Sequence, residues 1–269
     1  MSATIYKHEF LARLKSVLIW SVAMVLLLLV FFSIFPSFSS QAALLNEMLA
    51  KFPPQLLEAF GMTHIDLASI LGYFAFLFTF VQLCLAIQAA NYGVGLVSVE
   101  ETELTADFLM TKPVSRLQVM NSKLLAALSS LLFTDVIVWA STFISIYAFN
   151  VGNSFDAGRL VLILVSLLIL QLFFLSVGLV ISLLVRRVRS VTPYGLGLAF
   201  AAYIINGFSG IFGDVKLEYI TPFKHLDPSY IVQNGAFNTP LVLLNLAVSL
   251  IALAISYWLY LRRDIHAVS

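Results

Sequence analysis

The chain has 269 residues, of which 61% are hydrophobic and 11% charged, and its mean hydropathy is +0.98. Those values lie outside the soluble globular range and within that of chains crossing a bilayer several times. A formal net charge of +1 without a long Lys/Arg block excludes an electrostatic nucleic-acid surface, and the lone Cys84 excludes an internal disulfide.

Six apolar runs approach the roughly 20 residues needed to cross the hydrocarbon core: 16–35, 69–97, 124–149, 160–185, 191–212 and 241–261. Backbone groups in lipid must be satisfied internally, so each run is expected to be a helix and the fold all-α. Ahead of the first run, residues 4–15 set Ile5, Phe10, Leu11 and Leu14 between Lys7, Arg13 and Lys15, the pattern of a helix lying in the interface. The first run is longer than a signal-peptide core and reads as a retained helix. After it, Leu44, Leu45, Met48, Leu49 and Phe52 recur at helical spacing before Pro53-Pro54, which predicts a short surface-lying helical hairpin.

Between the second and third runs lies a polar island at 99–116. Ser98-Val99-Glu100-Glu101 reads as a capping box opening a helix over about 99–112. Glu100, Glu101 and Glu103 crowd its positive end, Lys112 sits at the negative end, and Pro113 stops it. Leu104 and Phe108, four residues apart, share a face with Leu109 beside them. From pattern alone, a docking element and a solvated connecting helix are both consistent with this stretch.

Further on, Gly152, Asn153 and Gly158 mark a tight turn, and Arg186-Arg187-Val188-Arg189 forms a short basic loop. The segment 213–239 mixes Tyr219, Phe223, Tyr230 and Ile231 with Pro222, Pro228 and several charges, which predicts short helices resting at the outer interface. No internal repeat supports an inverted-repeat transporter. With both chain ends cytoplasmic, the loops and termini divide 15 Lys and Arg so that only Lys51, Arg159, Lys216 and Lys224 lie outside, as the positive-inside rule favours.

Asp135 is the one ionisable side chain deep in a run, about 16 Å along the third helix from Leu124. Such a group faces a cavity or a protein partner. Asp135, Asn91 and Gln88 are therefore candidates for a pathway or gate, while interhelical hydrogen bonding is the alternative for them and for Gln82, Gln171, Asn206 and Asn245. Enzymatic readings fail on constellation. Gly207-Phe208-Ser209-Gly210 has no His in any run to act as base, a second intramembrane acid is missing, and no H-E-x-x-H occurs. His8, His64, His225 and His266 show no ligand spacing, so no metal is expected.

The island residues Glu100, Glu101, Thr105, Asp107, Phe108, Leu109, Thr111, Pro113, Val114, Ser115 and Arg116 resemble the first cytoplasmic loop of the ABC type-2 exporter permeases, with Leu104 where that family often has Gly. The stretch 219–232, with Pro222, Phe223, Lys224 and Asp227, is similar to the family's segment between the fifth and sixth spans, and 51–61 to its first outer loop. This resemblance implies six transmembrane helices, an N-terminal interfacial helix and a cytoplasmic coupling helix in one permease domain over 1–269. It also implies that Glu100, Glu101, Glu103, Leu104, Asp107, Phe108, Leu109, Lys112, Pro113 and Arg116 seat in a cleft of a cytoplasmic ABC ATPase subunit. ATP and Mg would be bound by that partner, since this chain has no G-x-x-x-x-G-K-[ST]. A second permease subunit, identical or homologous, would complete the pathway in the cell membrane. Spans rich in Phe and Leu and poor in charge fit an amphipathic or hydrophobic cargo, such as a membrane-active peptide, antibiotic or lipid-like molecule. The alternative is a non-transporting scaffold or sensor subunit docking another cytoplasmic protein. A neighbouring reading frame with Walker motifs would separate the two.

Overall fold

Long apolar runs in lipid leave helix as the way to bond their backbone, and the computed structural model realises them so. It describes residues 2–49, 51–53, 57, 65–102, 114–150, 154–185, 188–209 and 216–262, and the described residues hold helices and no strand. In chain order these are α1 (Ala3–Ser40), α2 (Ala42–Leu49), α3 (Ile70–Thr102), α4 (Arg116–Phe149), α5 (Ala157–Leu184), α6 (Thr192–Ser209), a 3-10 turn (Leu217–Tyr219), α7 (Pro222–His225), α8 (Pro228–Asn234) and α9 (Thr239–Arg262). Among them α1, α3, α4, α5 and α9 are long and apolar enough to cross a membrane; α6, at 18 residues, falls outside that set.

Three expectations change. Residues 4–15 are not a separate interfacial helix: no Gly or Pro interrupts the chain before Pro36, so they continue into the first span as one 38-residue helix. Ser98 does not cap a new helix either. Glu100 and Glu101 extend α3 to Thr102, and the Ser98 hydroxyl donates back to the Val94 carbonyl at 2.7 Å. The segment around α7 and α8 is no surface layer, since Phe223, Leu226 and Ile231 are buried in the bundle.

Helix ends follow local chemistry. Ser115 and Gln118 form a reciprocal capping box at the start of α4, with Gln118 N donating to Ser115 Oγ at 3.2 Å and Ser115 N to Gln118 Oε1 at 3.1 Å. Asp156 caps α5 by accepting from Gly158 N and Arg159 N. Gly235, at φ 64°, closes α8 in the left-handed conformation that a side chain would resist.

α3 is the hub, 72% buried along its apolar stretch against 28% for α1 and α9. It crosses α5 at small residues. A Cβ on Gly93 would stand 2.2 Å from the Leu175 carbonyl oxygen, and one on Gly178 2.7 Å from that of Ala90. α6 leans on α3 in the same way, for a Cβ on Gly195 would meet Asn91 Oδ1 at 2.2 Å. α1 runs beside α4 in the same direction, Ser2 meeting Ser122 and Tyr6 meeting Ser129. An aromatic cluster of Phe32, Phe35, Tyr73, Phe74 and Phe78 fills the far half of the α1–α3 contact.

Candidate functional site

Both described ends of the chain and both flanks of the polar island meet at one end of the bundle. Ser2 N donates to Ser122 Oγ at 2.8 Å, and Arg116 Nη1 at the head of α4 donates to the Leu261 carbonyl at the tail of α9 at 3.3 Å. Arg262 stacks its guanidinium over Trp258, 4.5 Å from the ring centroid. α3 ends at Thr102 and α4 begins at Arg116, and near these ends Lys123 of α4 donates to the Leu96 carbonyl of α3 at 2.9 Å. Of its expected docking residues, Glu100 and Glu101 fall in the last turn of α3 and Arg116 in the first turn of α4. Glu103, Leu104, Asp107, Phe108, Leu109, Lys112 and Pro113 lie outside the described residues.

A charged cluster absent from the sequence reading ties these stems to α1. Lys123 is 3% exposed. Its ammonium sits 3.2 Å from Glu9 Oε1 and donates to the Leu96 carbonyl at 2.9 Å. Arg13 Nη1 reaches Glu9 Oε2 at 2.6 Å and its guanidinium lies over the Tyr92 ring at 6.0 Å. Burial pushes the Glu9 carboxyl up, but Lys123 and Arg13 together outweigh it and hold the group below the usual carboxylate range. The signal in the sequence was a lysine at the edge of an apolar run, which demands a buried partner.

From this cluster a polar filament runs inward. Tyr92 OH donates to Ser16 Oγ at 3.1 Å, and Gln88 Nε2 donates to Tyr92 OH at 3.2 Å and to Thr134 Oγ1 at 3.1 Å. Beside Thr134, Asp135 is 1% exposed and accepts from Gln171 Nε2 of α5 at 2.9 Å. Among the described residues Gln88 Oε1, Asn91 Oδ1 and Asp135 Oδ2 have no hydrogen-bond partner. The structure thus bonds Gln88 to Thr134 and its neighbour Asp135 to Gln171 in the interior of a single chain, while Asn91 packs against Gly195 of α6.

At the opposite end, the 3-10 turn, α7 and α8 form a cap wedged into the bundle. Gln82 Nε2 donates to the Leu226 carbonyl at 2.9 Å, Arg159 Nη1 to that of Val232, and Thr221 Oγ1 to that of Ala202 at 2.9 Å. Phe223 packs between Phe174 and Tyr203 at centroid distances of 5.5 and 5.6 Å. Beneath the cap His225 is 2% exposed, with Asn245 Nδ2 3.4 Å from its Nδ1. Burial pushes the imidazole below its ordinary value, against the nearby backbone of Tyr219 and Glu218. It borders a cavity of about 180 Å³ with Lys224, Asp227, Tyr230, Phe237 and Leu241. The Lys224 ammonium is already matched by Asp227 Oδ2 at 3.1 Å.

Among the described residues no group of three or more His, Cys, Asp or Glu side chains has a geometry for a metal ion. What the residues build is a membrane-embedded helical body with one charged, tightly tied end from which the island emerges. No curated protein matches the sequence. The family model described as ABC-2 family transporter protein matches residues 3–265, nearly the whole length, and the chain belongs to that family of ABC transporter permease subunits.

Proposed function

We propose that this chain is the membrane subunit of an ATP-driven exporter, working as a pair with an identical or homologous subunit and energised by a separate cytoplasmic ATPase that binds ATP and Mg. The observation that carries this reading is that α4, on leaving the island, is tied to α3 through Lys123 and the Leu96 carbonyl at the end where Ser2 and Leu261 also lie. The positive-inside rule assigns that end of the bundle to the cytoplasm. In this reading α6 (Thr192–Ser209) is the fifth of six spans, α9 the sixth, and both termini are cytoplasmic. The island, through Leu104, Phe108 and Leu109, fills a cleft in the ATPase, and its acidic residues meet a basic rim there.

We assign Asp135, Gln88 and Asn91 to packing within the subunit. The support is their burial against Gln171, Thr134 and Gly195 of the same chain. The cargo pathway then runs along outward faces of the kind that Leu18, Val22 and Leu26 of α1 and Tyr194, Phe200 and Ile204 of α6 provide, all more than a third exposed. Such apolar lining suits an amphipathic or hydrophobic cargo that the inner leaflet concentrates first.

Truncating Phe108 tests the coupling. Loss of a buried aromatic anchor costs an interface about 2 kcal/mol or more, so Phe108→Ala should weaken co-purification of the ATPase while the subunit melts as before. Unchanged recruitment together with unchanged transport would remove the island from the mechanism.

A further inference from the structure

Lys123 holds two helices at once. Its ammonium, buried in the bundle, pairs with Glu9 of α1 and donates to the main-chain oxygen of Leu96, in the turns of α3 just ahead of the island. Lys123 itself follows the island, on α4. One side chain therefore bridges the stem that enters the island, the stem that leaves it and the N-terminal segment of α1. The ring of contacts closes on itself: Glu9 takes Arg13 through its carboxylate at 2.6 Å and its carbonyl at 2.9 Å, and Arg13 lies over Tyr92, which belongs to α3. Apolar helix contacts slide past one another at small cost, whereas a desolvated ion pair has to break before its partners separate.

We propose that Glu9 and Lys123 are positioning residues that lock the ends of α3 and α4 to the N-terminal segment of α1, so that movement of the island is carried into the first span. The inference rests on the coupling role proposed above and adds the route by which the motion leaves the island. α1 suits that route because it is uninterrupted from residue 3 to the membrane.

The test uses the full chain with its ATPase in lipid nanodiscs. A nitroxide is placed at Leu18→Cys, on the exposed face of α1, in a Cys84→Ala background. Glu9→Gln with Lys123→Met removes both charges of the pair at similar volume, which buried pairs tolerate far better than loss of one partner. Trapping with ATP and vanadate should change the spectrum at position 18 in the parent, and that change should be lost in the double variant although melting and ATPase recruitment are retained. The same spectral change in the double variant would overturn the proposal, as would a parent that recruits the ATPase but shows no change at position 18. A parent that fails to recruit the ATPase sinks the coupling role itself, and recruitment is measured separately. If the double variant does not assemble, Glu9→Asp, which draws the carboxylate back by one methylene, should reduce the change. A full-sized change in Glu9→Asp then overturns the joint.

Discussion

Gly93→Ala is the sharpest perturbation of this fold that the geometry offers. The added methyl carbon would stand 2.2 Å from the Leu175 carbonyl oxygen and 3.0 Å from Leu179 N, both backbone atoms that no rotamer change can move aside. Relief to an ordinary contact requires α3 and α5 to part by about 1 Å, and a gap of that size forfeits a quarter to a half of each dispersion contact at the crossing. Overpacking of this kind costs about 2 to 3 kcal/mol, or roughly 4 to 5 °C of melting temperature for a chain of this length. Gly197→Ala is the internal control, because its new Cβ meets nothing within 4 Å. The assay is thermal unfolding in detergent, followed by the fluorescence of Trp20, Trp139 and Trp258. Gly93→Ala should melt well below the parent and Gly197→Ala should not. If the two variants melt together, α3 and α5 do not approach as closely as described, and the hub role of α3 falls with them.

Asp135→Asn keeps an acceptor for Gln171 and should leave melting within about 1 kcal/mol of the parent, whereas Asp135→Leu strands the Gln171 amide and should cost about 1 to 3 kcal/mol; loss of ATPase coupling in a normally folded Asp135→Asn would instead mark an ionised functional site. His225 has a lowered folded value, so the unfolded chain binds its proton first. The stability this gives is whole above the ordinary 6.5 and is lost as pH falls from there through the folded value. Melting of the parent between pH 7.5 and 5.5 should accordingly decline more steeply than that of His225→Gln, and parallel curves would contradict the burial of this ring. In a Cys84→Ala background, single cysteines at Ser2, Ser115 and Ser190 should be shielded from an impermeant thiol reagent in intact cells while those at Ser39, Ser154 and Asn238 react. Outside labelling of Ser115→Cys would reverse the orientation.

The helices were legible because each is an apolar run with a chemical stop, and 124–149 or 160–185 differ from α4 and α5 mainly where a polar first turn precedes the run. Their joints were harder to read. Lys7 and Arg13 gave the N-terminal stretch an interfacial look, yet helix continuity is decided by the backbone, and nothing there breaks it. Ser98 satisfied a capping pattern, but a serine within a helix bonds equally well to the carbonyl four residues back. S-R-L-Q at 115–118 carried a true capping signature that the nearby proline overshadowed. The cap looked like surface because prolines and charges dominate its composition, yet Phe223, Leu226 and Ile231 are buried, and so are Thr221, His225 and Ser229. Glu9 and Lys123 lie too far apart in sequence for any local pattern to pair them, since their meeting depends on the register of α1 against α4.

The cap's attachment has a consequence for how this protein tolerates change. Gln82 and Arg159 grip it through the carbonyls of Leu226 and Val232, groups that every amino acid supplies. The anchoring information therefore resides in the bundle rather than in the residues it holds. Exposed cap positions such as Glu218, Tyr219 and Tyr230 are left free to be rewritten, and new outward-facing chemistry can be grafted there without rebuilding the scaffold beneath.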